Sequence, residues 1–223
     1  MSARDTVLGK IRASIRVPAS DAVRRKAVAT RLEEAPKGII PDRAKLPKAG
    51  QVDLFCAMAE QFGATMTRLN DYSQVPAEVS TYLRARNLPA AIRMGADKRL
   101  TKAKWATEKN LEVRHGASDG NDLAGVSHAM AGIAETGTVA LFSGQDNPTT
   151  INFLPEHHIV VLKASDVKGD MESVWAMLRK SQGKGEMPRA VNLVTGPSRS
   201  GDIEQTILLG AHGPRALHII VVE

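Results

Sequence analysis

Three short stretches concentrate side chains able to do acid–base or anion-binding chemistry. In AETGTV (134–139), Glu135 precedes Thr136-Gly137-Thr138 and an apolar run. A carboxylate there has the chemistry of a general base or nucleophile, with the threonine hydroxyls and backbone holding a ligand oxygen. The same stretch also reads as a solvated loop in which Gly137 permits a tight entry into a strand. In TGPSRSGDIEQT (195–206), a strand ends in Gly196-Pro197-Ser198 and a helix is expected to begin near Gly201-Asp202. Such a junction offers backbone N–H groups to an anion. Asp202 and Glu204 equally suit a helix N-cap and its dipole with no ligand, which leaves Ser198 and Arg199 as the better anion contacts. The third stretch, GAHGPRALHIIVV (210–222), sets His212 on a Gly213-Pro214 turn and His218 at the start of an apolar run. His212 is the better acid–base candidate of the two, and His218 reads mainly as structural.

Glu135, Asp202, Glu204 and His212 together have the composition of an acid–base cluster or a hard-metal site, but no HExxH or comparable ligand spacing accompanies them, so no metal is expected. His157 and His158 are adjacent and would face opposite sides of a strand, which prevents easy sharing of one ion. Cys56, the single cysteine, falls in an amphipathic helix and reads as a buried structural thiol. One cysteine excludes an intrachain disulfide and a self-contained iron–sulfur cluster. The loop 146–158 supplies Asn147, Thr149 and Asn152 as neutral donors and acceptors.

Helical and strand patterns alternate to position these residues. Ser2 begins a helix with Val7, Leu8, Ile11 and Ile15 at helical spacing, and Ser20 is expected to cap a second one. Helices are also expected from 51 to a C-cap at Gly63, from about 75, across DLAGVSHAMAGIA (122–134), across MESVWAMLRK and across DIEQTILLG. Strands are expected in ATMTRL, AAIRM, LEVRH, GTVALF, HHIVVL, AVNLVTG and LHIIVV. Most are short continuous apolar runs, as expected when both faces of a sheet are covered. The pattern specifies an open, mainly parallel α/β sheet with helices on both faces, and such a sheet places ligands at the carboxyl ends of its strands. Residues 1–50 read as a basic helical arm and linker, and 51–223 as the α/β domain.

The charge is divided the same way. Residues 1–50 hold 12 of the 30 Lys and Arg but only 5 of the 24 Asp and Glu. They contain no Phe, Trp or Tyr, so they lack the stacking platforms of single-strand binders, and nucleic acid is not the expected partner. A solvated basic arm, or one that docks on an acidic partner, fits better. The start MSARDTVLGKIRAS has no signal-peptide core, and no apolar run approaches the roughly 18 residues of a membrane span. A cytoplasmic chain is expected.

AETGTVALFSG, NFLPEHHIVVL and GPSRSGDIEQTILLGAHGPRALHIIVVE, in that order, resemble the signature blocks of the LUD-domain family, in particular its lactate-utilisation protein C group. The resemblance is close over about 125–223 and looser over 51–124, while 1–50 is similar to the family's variable helical beginning. It implies a fold like the NagB/RpiA/CoA-transferase group. It also implies a cytoplasmic role in oxidising L-lactate to pyruvate together with partner proteins that carry iron–sulfur clusters, none being held by this chain. The pattern marks Glu135, Thr136, Gly137 and Thr138, then Gly196, Pro197, Ser198, Asp202 and Glu204, then His212, Gly213, Pro214 and His218. Relatives of that fold are enzymes, so a free-standing isomerase or CoA-transferase using Glu135, and a non-catalytic scaffold, stand as alternatives.

Overall fold

The computed structural model describes the chain apart from Met1, Val17, Ala19, Lys184 and residues 202–206. The chain divides into two units, Met1–Ile39 and Ile40–Glu223. In the first, helix α1 (Ala3–Ile15) starts at Ser2, whose hydroxyl accepts from Asp5 N–H while the Asp5 carboxylate accepts from Ser2 N–H. This reciprocal cap satisfies N–H groups that a helix start leaves open. Helix α2 (Ala22–Glu34) is capped by Asp21 rather than by the expected Ser20. The Asp21 carboxylate reaches Arg24 N–H at 3.0 Å and also complements the helix dipole. Neither helix buries a residue.

In the second unit, α3 (Lys48–Gln61) begins behind Pro47, three residues before the expected start, and Ala44 ahead of it is already buried. There follow β1 (Thr65–Leu69), α4 (Val75–Ala85), β2 (Ala91–Met94), the short α5 (Lys98–Thr101), β3 (Glu112–His115), β4 (Ala124–His128), β5 (Ala131–Ile133) and β6 (Thr138–Phe142). The short α6 (Thr150–Phe153), β7 (His157–Lys163), β8 (Val167–Lys168), α7 (Met171–Gln182), β9 (Val191–Val194), β10 (Arg199–Ser200), β11 (Leu208–Leu209) and β12 (Ala216–Val222) complete it. Six strands form a wholly parallel sheet in the order β1-β12-β7-β4-β2-β3. Its two faces bury alternate residues. Ile159, Val161, Ile220 and Val222 pack with Val75, Val79 and Leu83 of α4. Val160, Leu162, Leu217, Ile219 and Val221 pack with Val52, Phe55 and Ala59 of α3. Fully burying side chains of this size stabilises the fold by roughly 1.5–3 kcal/mol each.

Helices therefore cover both faces, as the sequence pattern specifies, but two expectations change. The segment 122–134 is not helical: it forms β4 and β5, and every residue of both is buried. Its small side chains serve close approach, since a Cβ on Gly125 would sit 2.8 Å from the Ile151 carbonyl oxygen. Second, β6 and β9 do not join the parallel sheet. They belong to a separate four-stranded sheet, β8-β5-β6-β9, in which β6 runs antiparallel to both neighbours. Only residues 134–137 separate β5 from β6, far fewer than the dozen or so that a parallel crossover needs. Val139 and Leu141 of β6 share the core of α3, while Ala131, Ile133, Ala140 and Phe142 pack against Val174 and Leu178 of α7. Of the helix expected across DIEQTILLG, residues 202–206 lie outside the described residues, and its end is instead strand β11, paired antiparallel with β10.

Candidate functional site

At the carboxyl ends of β2 and β4, where a parallel sheet ordinarily places a ligand, the polar groups close on one another. Arg99 clasps the buried Asp97 with its backbone N–H at 2.9 Å, Nε at 2.9 Å and Nη2 at 2.7 Å, and Asn147 Nδ2 adds a fourth bond at 3.2 Å. Burial opposes the charge on Asp97, but the hydrogen bonds and charge of Arg99 prevail and lower its pKa to about 2. His128, at the end of β4, lies 2.6 Å from the Ala129 carbonyl through Nδ1 and 2.7 Å from the Tyr72 hydroxyl through Nε2. A carbonyl only accepts, so Nδ1 carries the proton and Nε2 accepts from Tyr72. Burial, with Arg99 nearby, lowers the pKa of His128 to about 4, and burial raises that of Tyr72 to about 12. The free space beside this cluster is about 10 Å³, barely a water molecule.

A larger cavity, of about 230 Å³, lies at the amino ends of β7 and β12 and the carboxyl end of β9. The β9 side is a strand carboxyl end, as expected from the sequence, whereas the β7 and β12 sides are amino ends. After β9 the chain turns through 195–198 and the β10–β11 hairpin, so its His-Gly-Pro loop delivers the amino end of β12. Thr195, Gly196, Pro197 and Ser198 form one wall, His212, Gly213 and Pro214 another, and Asn152, Phe153, His158 and Leu217 complete the lining. Ser198 N–H donates to the Pro214 carbonyl at 2.8 Å and Gly210 N–H to the Ser198 carbonyl at 3.0 Å, which ties the two loops together. His212 is exposed at the rim.

Seven of the sequence-derived positions therefore meet here: Asn152, Gly196, Pro197, Ser198, His212, Gly213 and Pro214. Among the other described positions, none lines the cavity. Glu135 is buried beyond β5, where its Oε1 accepts from Met171 N–H at 2.8 Å, while Asp170 accepts from Ser173 N–H at 2.7 Å. Two carboxylates thus cap the start of α7, a role set by its open N–H groups. Gly137 has φ +64°, and a Cβ on it would strike the backbone of Met58 and Ala59 in α3. Thr136 and Thr138 do connect to the cavity through hydroxyls. Thr136 Oγ1 is 2.7 Å from Thr138 Oγ1, which is 2.6 Å from Thr195 Oγ1 on the cavity wall. Arg199 turns away to donate to the Phe62 carbonyl at the end of α3, at 3.0 Å. Asp202 and Glu204 lie outside the described residues.

The residue that sequence reasoning passed over is His158. It is wholly buried, with Nε2 3.0 Å from Ser127 Oγ, and Ser127 in turn donates to Asn152 Oδ1 at 2.8 Å. Its Nδ1 is buried without a hydrogen-bond partner. Burial lowers its pKa to about 3, so the ring is neutral. The signal available in the sequence was strand parity, which turns His157 and His158 to opposite faces. His157 accordingly meets the Tyr82 hydroxyl on the α4 side at 2.9 Å. His218 faces that same side: its Nδ1 is 2.8 Å from Thr65 Oγ1, and its ring stacks on Tyr82 at 4.5 Å. Among the described residues, no three His, Cys, Asp or Glu side chains converge to hold a metal ion, and no helix is long and apolar enough to cross a membrane.

The model of the LUD domain matches residues 39–222. The chain is 34% identical over 120 residues to lactate utilization protein C of Geobacillus sp. (strain WCH70), covering 53% of this chain and 48% of that one. It is 33% identical over 119 residues to lactate utilization protein C of Bacillus subtilis (strain 168), covering 52% and 49%. To the protein of the same name from Geobacillus thermodenitrificans (strain NG80-2) it is 38% identical over 101 residues, covering 44% and 42%. The chain thus spans about half the length of these curated relatives or less. A crystal structure of a DUF162 family protein from Deinococcus radiodurans superposes with a TM-score of 0.57 at 20% identity, covering 80% of this chain and 99% of that one, a likeness of fold.

Proposed function

Because this chain belongs to the LUD-domain family, we propose that it is a subunit of a system that oxidises L-lactate to pyruvate, working in the cytoplasm with partner proteins that carry iron–sulfur clusters. The observation that carries this reading is the meeting of two family blocks, Gly196-Pro197-Ser198 and His212-Gly213-Pro214, on one cavity of small-molecule size. Its role is to hold a small carboxylic acid, with the Ser198 hydroxyl and the His212 imidazole as donors to the carboxylate. Electrons leave through the partners, since Cys56 alone cannot ligate a cluster.

The placement of Glu135 favours this binding role over the isomerase or CoA-transferase alternative. A nucleophilic carboxylate must reach its substrate, and that of Glu135 caps α7. The helical unit Met1–Ile39 offers the partners a groove of about 430 Å³ in which Ile15, Val28 and Leu32 alternate with Arg12, Arg24 and Arg25. That composition suits an amphipathic acidic surface.

The test is growth on L-lactate in a host depending on this chain. The double variant Ser198→Ala, His212→Ala is expected to accumulate as folded protein and fail to support growth, while Glu135→Gln, which keeps an oxygen acceptor for Met171 N–H, supports it. Normal growth of the double variant would overturn the site.

A further inference from the structure

A second cavity, of about 700 Å³, opens beyond the carboxyl end of β6, a volume that suits a small organic ligand. It shares no lining residue with the cavity of Ser198 and His212. One wall is the loop that leaves β6, and the other is the entry to β9 at Arg189 and Ala190. Backbone bonds hold the loop in place. Gly144 and Asn147 exchange N–H to carbonyl bonds at 3.3 and 3.1 Å, and the Asp146 carbonyl accepts from Ala96 N–H at 2.9 Å. A wall fixed before a ligand arrives removes part of the ordering cost of binding.

The bonds already made decide what the wall still has to give. Ser143 Oγ accepts from Ala190 N–H at 2.8 Å, and Thr150 Oγ1 accepts from Ser118 N–H at 3.0 Å. Neither hydroxyl hydrogen has an acceptor among the described residues, so each is left to donate. The side chains of Gln145 and Thr149 also lack partners among the described residues. Arg189 is exposed and forms no ion pair among them. No carboxylate is among the described residues that line the cavity. One guanidinium and four neutral donors thus share a cavity that holds no anion of its own. A carboxylate has two oxygens to accept such donors, whereas a phosphate has three and up to twice the charge.

We propose that this cavity binds a small organic phosphate, with Arg189 paired to the phosphate and the hydroxyls of Ser143, Thr149 and Thr150 and the amide of Gln145 donating to its oxygens. A guanidinium meets phosphate through two parallel N–H···O bonds, which orient as well as attract. The volume leaves room for an organic body beyond the phosphate. The site is separate from the small-acid cavity and does not depend on that reading.

Calorimetry on the full chain with glycerol 3-phosphate, inorganic phosphate and glycerol tests the proposal, with ¹H–¹⁵N NMR locating the site. Saturable binding of glycerol 3-phosphate is expected, with weaker binding of inorganic phosphate, none of glycerol, and amide shifts concentrated in 143–150. Arg189→Gln removes the charge and is expected to raise the Kd for glycerol 3-phosphate at least about tenfold, and Thr149→Val about threefold. Neither side chain makes a bond that the fold uses, so both variants are expected to fold. The double variant Ser198→Ala, His212→Ala is expected to keep the parent Kd. Binding that survives Arg189→Gln, or that the double variant loses, overturns the assignment of the site. Equal Kd values for glycerol 3-phosphate and inorganic phosphate overturn the organic ligand. Saturable binding of neither overturns the proposal outright and leaves the small-acid reading untouched.

Discussion

The two ends of the parallel sheet make opposite use of the same kinds of residue. At the carboxyl end, Asp97, Arg99, Asn147, His128 and Tyr72 each have partners, and the space left is about that of one water. Near the amino end of β7, His158 bonds Ser127 of β4, which bonds Asn152, and this chain stops one bond short on a residue of a cavity some twenty times larger. Charge alone would select the first cluster, where Asp97 and Arg99 pair, while strongly lowered imidazoles occur in both, at His128 and at His158. Completeness of hydrogen bonding selects the second. A fully paired buried network stiffens the fold, and a network with an unmet acceptor carries a cost that its own members do not offset.

That contrast can be broken in several ways. The largest effect is expected from acid. Burial lowers the pKa of His128 to about 4 and of His158 to about 3, from 6.5. Below pH 6.5 the unfolded chain therefore binds more protons than the folded one. The stability both rings contribute is fully present above that pH and is lost as pH falls toward about 4 and about 3. Each ring contributes a slope of about 1.4 kcal/mol per pH unit. Urea titrations across this window should show His128→Gln with a shallower slope than the parent protein; identical slopes would mean that the carboxyl-end cluster is open to solvent.

Arg99→Ala follows. It leaves the buried Asp97 charge without its main partner and is expected to cost about 3 kcal/mol in chemical denaturation, with no change in ligand affinity at the other end of the sheet. Glu135→Ala removes one α7 cap and is expected to cost about 1 kcal/mol, with Glu135→Gln recovering most of it. A stable Glu135→Gln protein that has lost function would instead make this carboxylate a participant in the chemistry. The smallest change is expected for His212→Ala: its side chain is exposed, so stability should stay within about 0.5 kcal/mol while acid binding weakens.

Much of this was legible in the residues themselves. The apolar runs of β7 and β12 read as doubly covered strands because both faces of each are buried. α3, α4 and α7 read as helices because their apolar positions recur at helical spacing. The loops 196–198 and 212–214 read as site residues from their glycine, proline, serine and histidine content, and the cavity brings those six together. Glu135 stayed open in the sequence, because a carboxylate before Thr-Gly-Thr reads the same whether it meets a substrate or a helix end, and the structure sets it at the start of α7. The segment 122–134 misled, since small residues suit a close-packed strand as readily as a helix.

By itself, then, the sequence determined the class of fold, the two family loops and the parity that separates His157 from His158, because each rests on local spacing or on residue type. Tertiary structure alone decided three things: that β6 and β9 leave the parallel sheet, that the cavity sits at the amino ends of β7 and β12, and that His158 is left with a bare nitrogen. These depend on what approaches from elsewhere in the chain: the Ile151 carbonyl over Gly125, the α3 backbone over Gly137, and Ser127 turned toward Asn152. Local sequence carries no record of such approaches, and the polarity of a hydrogen-bond chain exists only once all its members are in place.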